Sequence, residues 1–282
     1  MSGKALIVGA GPVGESTALR LRELRWDVRV TSRDPKLSRP RLTGVPISRF
    51  DLQSDDIAPL LEGVDLVVMT PILTLSTRAA PALGGRRVIA FSSNNVAIDP
   101  DAPVYRAIAE AERAFLASAP QTLILRPTLI YGHPHLKTLT RIMRWAQKWP
   151  VLPLPGTGRA RQQPVFHDDL GRAAAALAQT DVRGAIFTLA GPDIVSMRDL
   201  FARIAAAVGK APTIAPLPAW ALNLGASALG PRFPFDRDQI ARLERDRIAC
   251  PQTPLPDGLA PRTDLSGGLA QLAAALARQP AR

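Results

Sequence analysis

At 282 residues, 46% hydrophobic and 21% charged, the chain has room for one large domain, or one plus a small annex, and the composition of an ordinary globular protein. Its +11 net charge favours anionic partners, yet the basic residues are scattered in short pairs such as Arg86-Arg87 and only 5% of residues are aromatic, so nucleic-acid binding is not expected. The single Cys250 excludes intrachain disulfides and cysteine-based metal sites, and no apolar run reaches the ~20 residues of a membrane span.

Met1 to Lys4 leads straight into an apolar run, Ala5-Leu6-Ile7-Val8, so a core strand rather than a signal peptide is expected at this end, with a reducing, cytoplasmic setting. The run enters Gly9, Gly11 and Gly14, spaced G-x-G-x-x-G. From Glu15 the pattern turns helical, with Ala18, Leu19, Leu21 and Leu24 as the buried side. Strand, glycine turn and helix in that order form a dinucleotide-binding fingerprint. Gly9 allows the turn, Gly11 lets the backbone approach a pyrophosphate, and Gly14 lets helix and strand pack closely. Pro12 and Val13 open the helix, whose N-terminal N–H groups face the phosphates.

Asp27 to Ser32 reads as a second strand, alternating and β-branched. It ends in Ser32-Arg33 where a ribose-reading residue belongs. A hydroxyl beside a guanidinium suits a 2′-phosphate, so NADP(H) is preferred over NAD(H). Ile47 to Leu52 fits a third strand from whose end Asp51-Leu52 reaches the adenine. Asp65 to Thr70 and Val88 to Ser92 are near-continuous apolar runs, as buried parallel strands require. Thr70-Pro71 falls on the cofactor side, and Thr74 to Leu83 makes a short helix.

Leu123 to Leu125 and Ala185 to Ala190 supply two further strands. From Pro150 to Pro164 prolines and glycines crowd the chain, which predicts a long loop. Phe166 to Leu170 starts a helix with Asp168 or Asp169 as N-cap, and Met197 to Val208 forms an amphipathic helix ending at Gly209. The fold class is therefore α/β, a Rossmann-type doubly wound parallel sheet with a smaller, mostly helical C-terminal region. The dinucleotide-binding domain spans 1–195, with the 136–163 loop on its substrate side, and the C-terminal region spans 196–282.

Several landmarks stand in the order of one family: the glycine turn, Asp51-Leu52, Ser92-Ser93, Tyr105, and Arg126-Pro127-Thr128-Leu129-Ile130-Tyr131-Gly132. Val165 to Leu170 and Phe187 to Pro192 complete them. Together they resemble the extended and atypical short-chain dehydrogenase/reductases, the NAD-dependent epimerase/dehydratase group, over roughly Lys4 to Leu276. Pro231 to Ile248 is similar to the tail of proteins related to the NADPH-binding accessory subunit of respiratory complex I. The resemblance implies a nicotinamide dinucleotide held partly by Arg126-Pro127, and a small-molecule substrate. It also leaves room for association with a protein complex or the membrane periphery.

In that family a serine polarises the substrate, and a Tyr–Lys pair spaced Y-x-x-x-K moves the proton. The lysine lowers a tyrosine pKa whose free value is near ~10. Ser92 and Ser93 stand at the serine position, and Tyr105 is the candidate base. Four residues on is Ala109, and no lysine occurs between Lys36 and Lys137. Two readings follow: an oxidoreductase or epimerase-like enzyme working by a modified mechanism, or an inert NADP(H)-holding scaffold or sensor subunit. His133 and His135 lack a partner carboxylate and make a poor metal site. His167 and Asp168 read as a structural strand–helix junction.

Overall fold

The computed structural model describes residues 3–36, 40–230, 233–236, 239–240, 245–251 and 253–278. Of the segment 231–248, residues 231–232, 237–238 and 241–244 therefore lie outside the described residues. Two compact units interleave along the chain. Unit 1 comprises Met1–Thr128, His167–Leu189 and Ala249–Pro261; unit 2 comprises Leu129–Phe166, Ala190–Ile248 and Arg262–Arg282.

Unit 1 is built on a seven-stranded parallel sheet. Its strands are β1 (Lys4–Val8), β2 (Asp27–Ser32), β3 (Ile47–Arg49), β4 (Leu66–Met69), β5 (Arg87–Phe91), β6 (Leu123–Pro127) and β11 (Ile186–Leu189). The order is β11-β6-β5-β4-β1-β2-β3, every neighbouring pair parallel. The chain reverses its direction of travel across the sheet between β1 and β4, the position at which a doubly wound sheet opens a crevice beyond its strand ends. All four side chains of β4 are buried, as expected of a strand covered on both faces.

The helices of unit 1 are α1 (Pro12–Glu23), α2 (Leu73–Ser76), α3 (Asn95–Ile98), α4 (Pro103–Ser118) and α6 (His167–Leu177). Pro12 and Pro103 sit in the first turns of their helices, where a missing N–H costs nothing. Helices α1 and α6 approach closely at Gly171, where a Cβ would stand 2.6 Å from the Ser16 backbone. The predicted helix over Thr74–Leu83 is α2 followed by a 3-10 segment, Thr77–Leu83, because Pro81 interrupts the α-helical ladder.

Among its described residues unit 2 has four short strands, β7 (Ile130–Tyr131), β9 (Arg161–Gln162), β10 (Val165–Phe166) and β12 (Val195–Ser196), and two longer ones, β8 (Val151–Pro155) and β13 (Thr213–Leu217). Helices fully within its described residues are α5 (Lys137–Lys148), α7 (Met197–Ala207), α8 (Ala219–Leu229) and α9 (Leu265–Ala277). Leu139, Ile142 and Met143 of α5, Leu200 and Phe201 of α7, and Leu269 and Leu272 of α9 close one apolar core with Leu152 and Leu154.

Two expectations are corrected here. The stretch from Pro150 is not all loop, because β8 pairs in parallel with β13. Pro153 and Pro155 are tolerated since the ladder draws on the alternate N–H groups, as Gly156 donates to the Leu217 carbonyl. Asp168 and Asp169 lie inside the first turn of α6 rather than at its cap, with the helix starting at His167. Helix α5, β8 and their neighbours share the unit 2 core with α7 and α9, while residues 249–261 belong to unit 1.

Candidate functional site

The candidate site is assembled at the carboxyl ends of the unit 1 strands. Leaving β1, the chain passes Gly9 at φ +100°, a conformation that side chains rarely adopt. A Cβ on Gly9 would meet the Thr70 hydroxyl at 2.6 Å, and one on Gly14 would stand 1.9 Å from the Gly9 carbonyl oxygen. Gly14 thus lets α1 press against the turn. Thr70, at the end of β4, fastens the same turn by donating its hydroxyl to the carbonyls of Val8 and Gly9, at 2.9 and 3.1 Å.

Gly11 differs from both. It is the N-cap of α1 in ordinary extended backbone, it makes no side-chain cap hydrogen bond, and nothing lies within 4 Å of where its Cβ would be. The N-terminal N–H groups of α1 have no intrahelical acceptor, and the positive end of the helix dipole lies at Gly11, where there is room for a bound group. That arrangement fits a diphosphate. Pro71 packs along the Gly9 turn.

The Ser32 hydroxyl is buried and closes a turn with the Asp34 backbone, donating to its carbonyl at 3.0 Å and accepting from its N–H at 3.2 Å. Arg33 is exposed at the end of β2. Asp51 accepts from the Gln53 N–H at 3.0 Å, while Leu52 is packed into the unit 1 core. A neighbouring network was not anticipated. Arg41 forms ion pairs with Glu15 and Asp168 at 3.1 and 2.9 Å, and Ser16 donates to Asp168 at 2.6 Å while bonded to His167 Nδ1 at 2.8 Å. Burial raises the Asp168 carboxyl, but the Ser16 hydroxyl, His167 and Arg41 together hold it below the ordinary carboxylate value.

The structure separates the two candidate serines. Ser92 donates its hydroxyl to Glu112 on α4, and Glu112 is held in a buried, two-pronged ion pair by Arg126 of β6. Arg126 and Pro127 thus end a buried strand, with the guanidinium turned onto Glu112. Ser93 instead accepts from the Asn95 N–H at 3.2 Å, and the Asn95 side-chain amide donates to the Tyr105 hydroxyl at 3.1 Å. Asn95 therefore links Ser93 to Tyr105. One turn beyond Tyr105 on the same helix face is Ala109.

Asn95, Glu112 and Arg41 escaped the sequence reading because no motif marks them; their roles arise from helices and loops meeting in three dimensions. Asn94, which is buried, accepts from the Cys250 N–H at 3.1 Å, so the returning segment crosses the ends of β5 and β11. His133 and His135 pack edge to face within unit 2, and no metal-holding cluster exists among the described residues.

No family model matches the chain. A mitochondrial protein of Arabidopsis thaliana, NADH dehydrogenase [ubiquinone] 1 alpha subcomplex subunit 9, is 30% identical over 119 residues, 42% of this chain. That match spans 29% of the relative's length. Among solved structures, UDP-glucuronic acid 4-epimerase from Bacillus cereus, in complex with UDP-glucuronic acid and NAD, superposes with a TM-score of 0.70 at 17% identity, covering 98% of this chain and 99% of that one. The dTDP-glucose 4,6-dehydratase of Bacillus anthracis, in complex with NAD, superposes at 0.72 with 14% identity, covering 98% and 97%. Over nearly its whole length, this chain has the fold of the NAD-dependent epimerases and dehydratases that its Arg126–Gly132 and Val165–Leu170 segments resemble.

Proposed function

We propose that unit 1 binds a nicotinamide dinucleotide, with NADP(H) preferred over NAD(H). The single observation that carries this reading is the contrast within the glycine turn. Gly9 and Gly14 are closed against their neighbours, while Gly11, at the N-terminus of α1, has open space where a side chain would stand. The solved structures of like fold are described as complexes with NAD, which supports the same assignment. The preference for NADP(H) rests on Arg33, an exposed guanidinium that engages a 2′-phosphate through two charge-assisted hydrogen bonds.

When bound, the dinucleotide supplies or accepts a hydride. The chain's own contribution is at Ser93, Asn95 and Tyr105. The Asn95 amide donates to the phenol oxygen of Tyr105 at 3.1 Å and so fixes the position of that hydroxyl. In this reading Tyr105 holds the proton that a substrate oxygen takes up, Ser93 orients that oxygen, and the protein is an oxidoreductase or epimerase-like enzyme. Ser92 is a positioning residue through Glu112 and Arg126.

Two observations favour a second reading, an NADP(H)-holding scaffold or sensor subunit without turnover. Ala109 occupies the position of the family's lysine, and the curated relative is a subunit of NADH dehydrogenase. Both readings predict that NADPH raises the melting temperature. They divide on turnover. The enzyme reading requires NADPH or NADP+ consumption with a panel of sugar nucleotides, ketones and quinones, abolished in Tyr105→Phe. Turnover that persists in Tyr105→Phe rules out Tyr105 as the acid, and steady turnover of any kind rules out the scaffold.

A further inference from the structure

The charge imbalance of the chain lies almost entirely in unit 2. Its segments hold 17 Lys and Arg against 7 Asp and Glu, a net +10, whereas unit 1 holds 18 against 17. From Leu129 to Phe166 there is no acidic residue. Lys137, Arg141, Arg144 and Lys148 recur at steps of four, three and four, which makes a single stripe along α5. Lys137, Arg144 and Lys148 are exposed, while Arg141 is half-buried and bonded to the Phe233 carbonyl and Asp236.

Helix α8 supplies the second feature. It contains no charged residue, and Leu222 is its only buried side chain. Trp220 is 72% exposed and Leu224, one turn on, is 65% exposed; Ala228 continues the same exposed line. Phe233 joins this helix to α5. Its ring packs edge-on against Trp145 at 5.5 Å and lies against Gly225, where a Cβ would approach it to 2.8 Å. At the end of α5, exposed Trp149 stacks on Trp145 with the Lys148 ammonium 5.7 Å over its ring.

We propose that this face of unit 2 docks on an anionic membrane surface. Trp220 and Leu224 enter the boundary between headgroups and acyl chains, and the α5 stripe meets the lipid phosphates. An uncharged apolar helix face beside a row of lysines and arginines is the pattern of an interfacial helix. Tryptophan is the side chain favoured at that depth, its ring amphipathic and large. Long basic side chains keep their heads at the phosphates while their stems lie on apolar surface. No helix among the described residues is long and apolar enough to cross a membrane, so the docking is peripheral. The dinucleotide plays no part in this arrangement.

The test is co-sedimentation of the full-length protein with vesicles of pure phosphatidylcholine or of phosphatidylcholine with a quarter phosphatidylglycerol. At low salt the anionic vesicles should bind at least tenfold more strongly, with a blue shift of tryptophan emission, and 0.5 M NaCl should remove most of the binding. Trp220→Ser with Leu224→Ser, and separately Lys137→Glu with Lys148→Glu, should each weaken binding at least tenfold while leaving the melting temperature in place. Equal binding to both vesicles, or undiminished binding by the serine double variant, overturns the proposal. So does a wild type that ignores both vesicles and instead forms a dimer, or binds an acidic protein, that the serine double variant abolishes.

Discussion

Gly11 and Gly14 stand three residues apart and answer to different constraints. An added Cβ at Gly14 would collide with the Gly9 carbonyl, a backbone atom that cannot swing aside, so Gly14→Ala should destabilise unit 1 by more than about 2 kcal/mol in urea unfolding. Unchanged stability would mean that α1 does not press on the turn as described. At Arg33 the expectation is one of selectivity. Arg33→Ala should weaken NADPH about tenfold and leave NADH nearly unchanged, because only the phosphate loses its charge-assisted bonds; an equal effect on both would cancel the NADP(H) preference. The glycine turn was legible in the sequence because one short segment carries strand, turn and helix signals together. Asn95 was not, since its link to Tyr105 spans ten residues and depends on how α3 meets α4.

Among the elements, β6 and α4 are joined by a buried ion pair. Removing one partner strands the other charge, so Glu112→Ala should cost about 3 kcal/mol or more, read as a fall in the urea midpoint. A loss below ~1 kcal/mol would show the pair to be dispensable. Asp168 joins α6 to α1 and to the segment carrying Arg41. Its carboxyl is held below the usual value, so its contribution is fully present above the unfolded pKa of ~3.9 and lost as pH falls through the lower folded value. Asp168→Asn should therefore be less stable than wild type at pH 7, on the order of 1 kcal/mol, and the difference should shrink as pH falls below ~4. A gap independent of pH would assign the residue a purely steric part. The buried parallel strands could be read from their apolar runs, whereas β8 could not: its prolines are a loop signal until the alternate use of N–H groups is seen.

For the whole molecule, the segments of the two units share the basic residues almost evenly, 18 and 17, but the acidic ones fall 17 and 7, so the net +10 belongs to unit 2. That distribution was invisible to a reading by segments, because unit 2 is assembled from three separated stretches. The interleaving likewise hides from a composition scan, which sees one boundary where the chain crosses several times. Six of the seven strands of the unit 1 sheet, by contrast, come from one contiguous run of strand and helix patterns between Lys4 and Pro127, and only β11 is added from a later stretch.

The central claim, that the open end of α1 at Gly11 holds a dinucleotide, is tested most directly by titration calorimetry of NADPH into wild type and Gly11→Val. Gly11 has ordinary backbone angles and empty space beside it, so valine should leave the melting temperature within a few degrees. The account predicts measurable binding by wild type and at least a hundredfold loss in the folded variant. Wild-type protein that gives no heat with NADPH or NADH, or a Gly11→Val variant that binds as tightly as wild type, would contradict it.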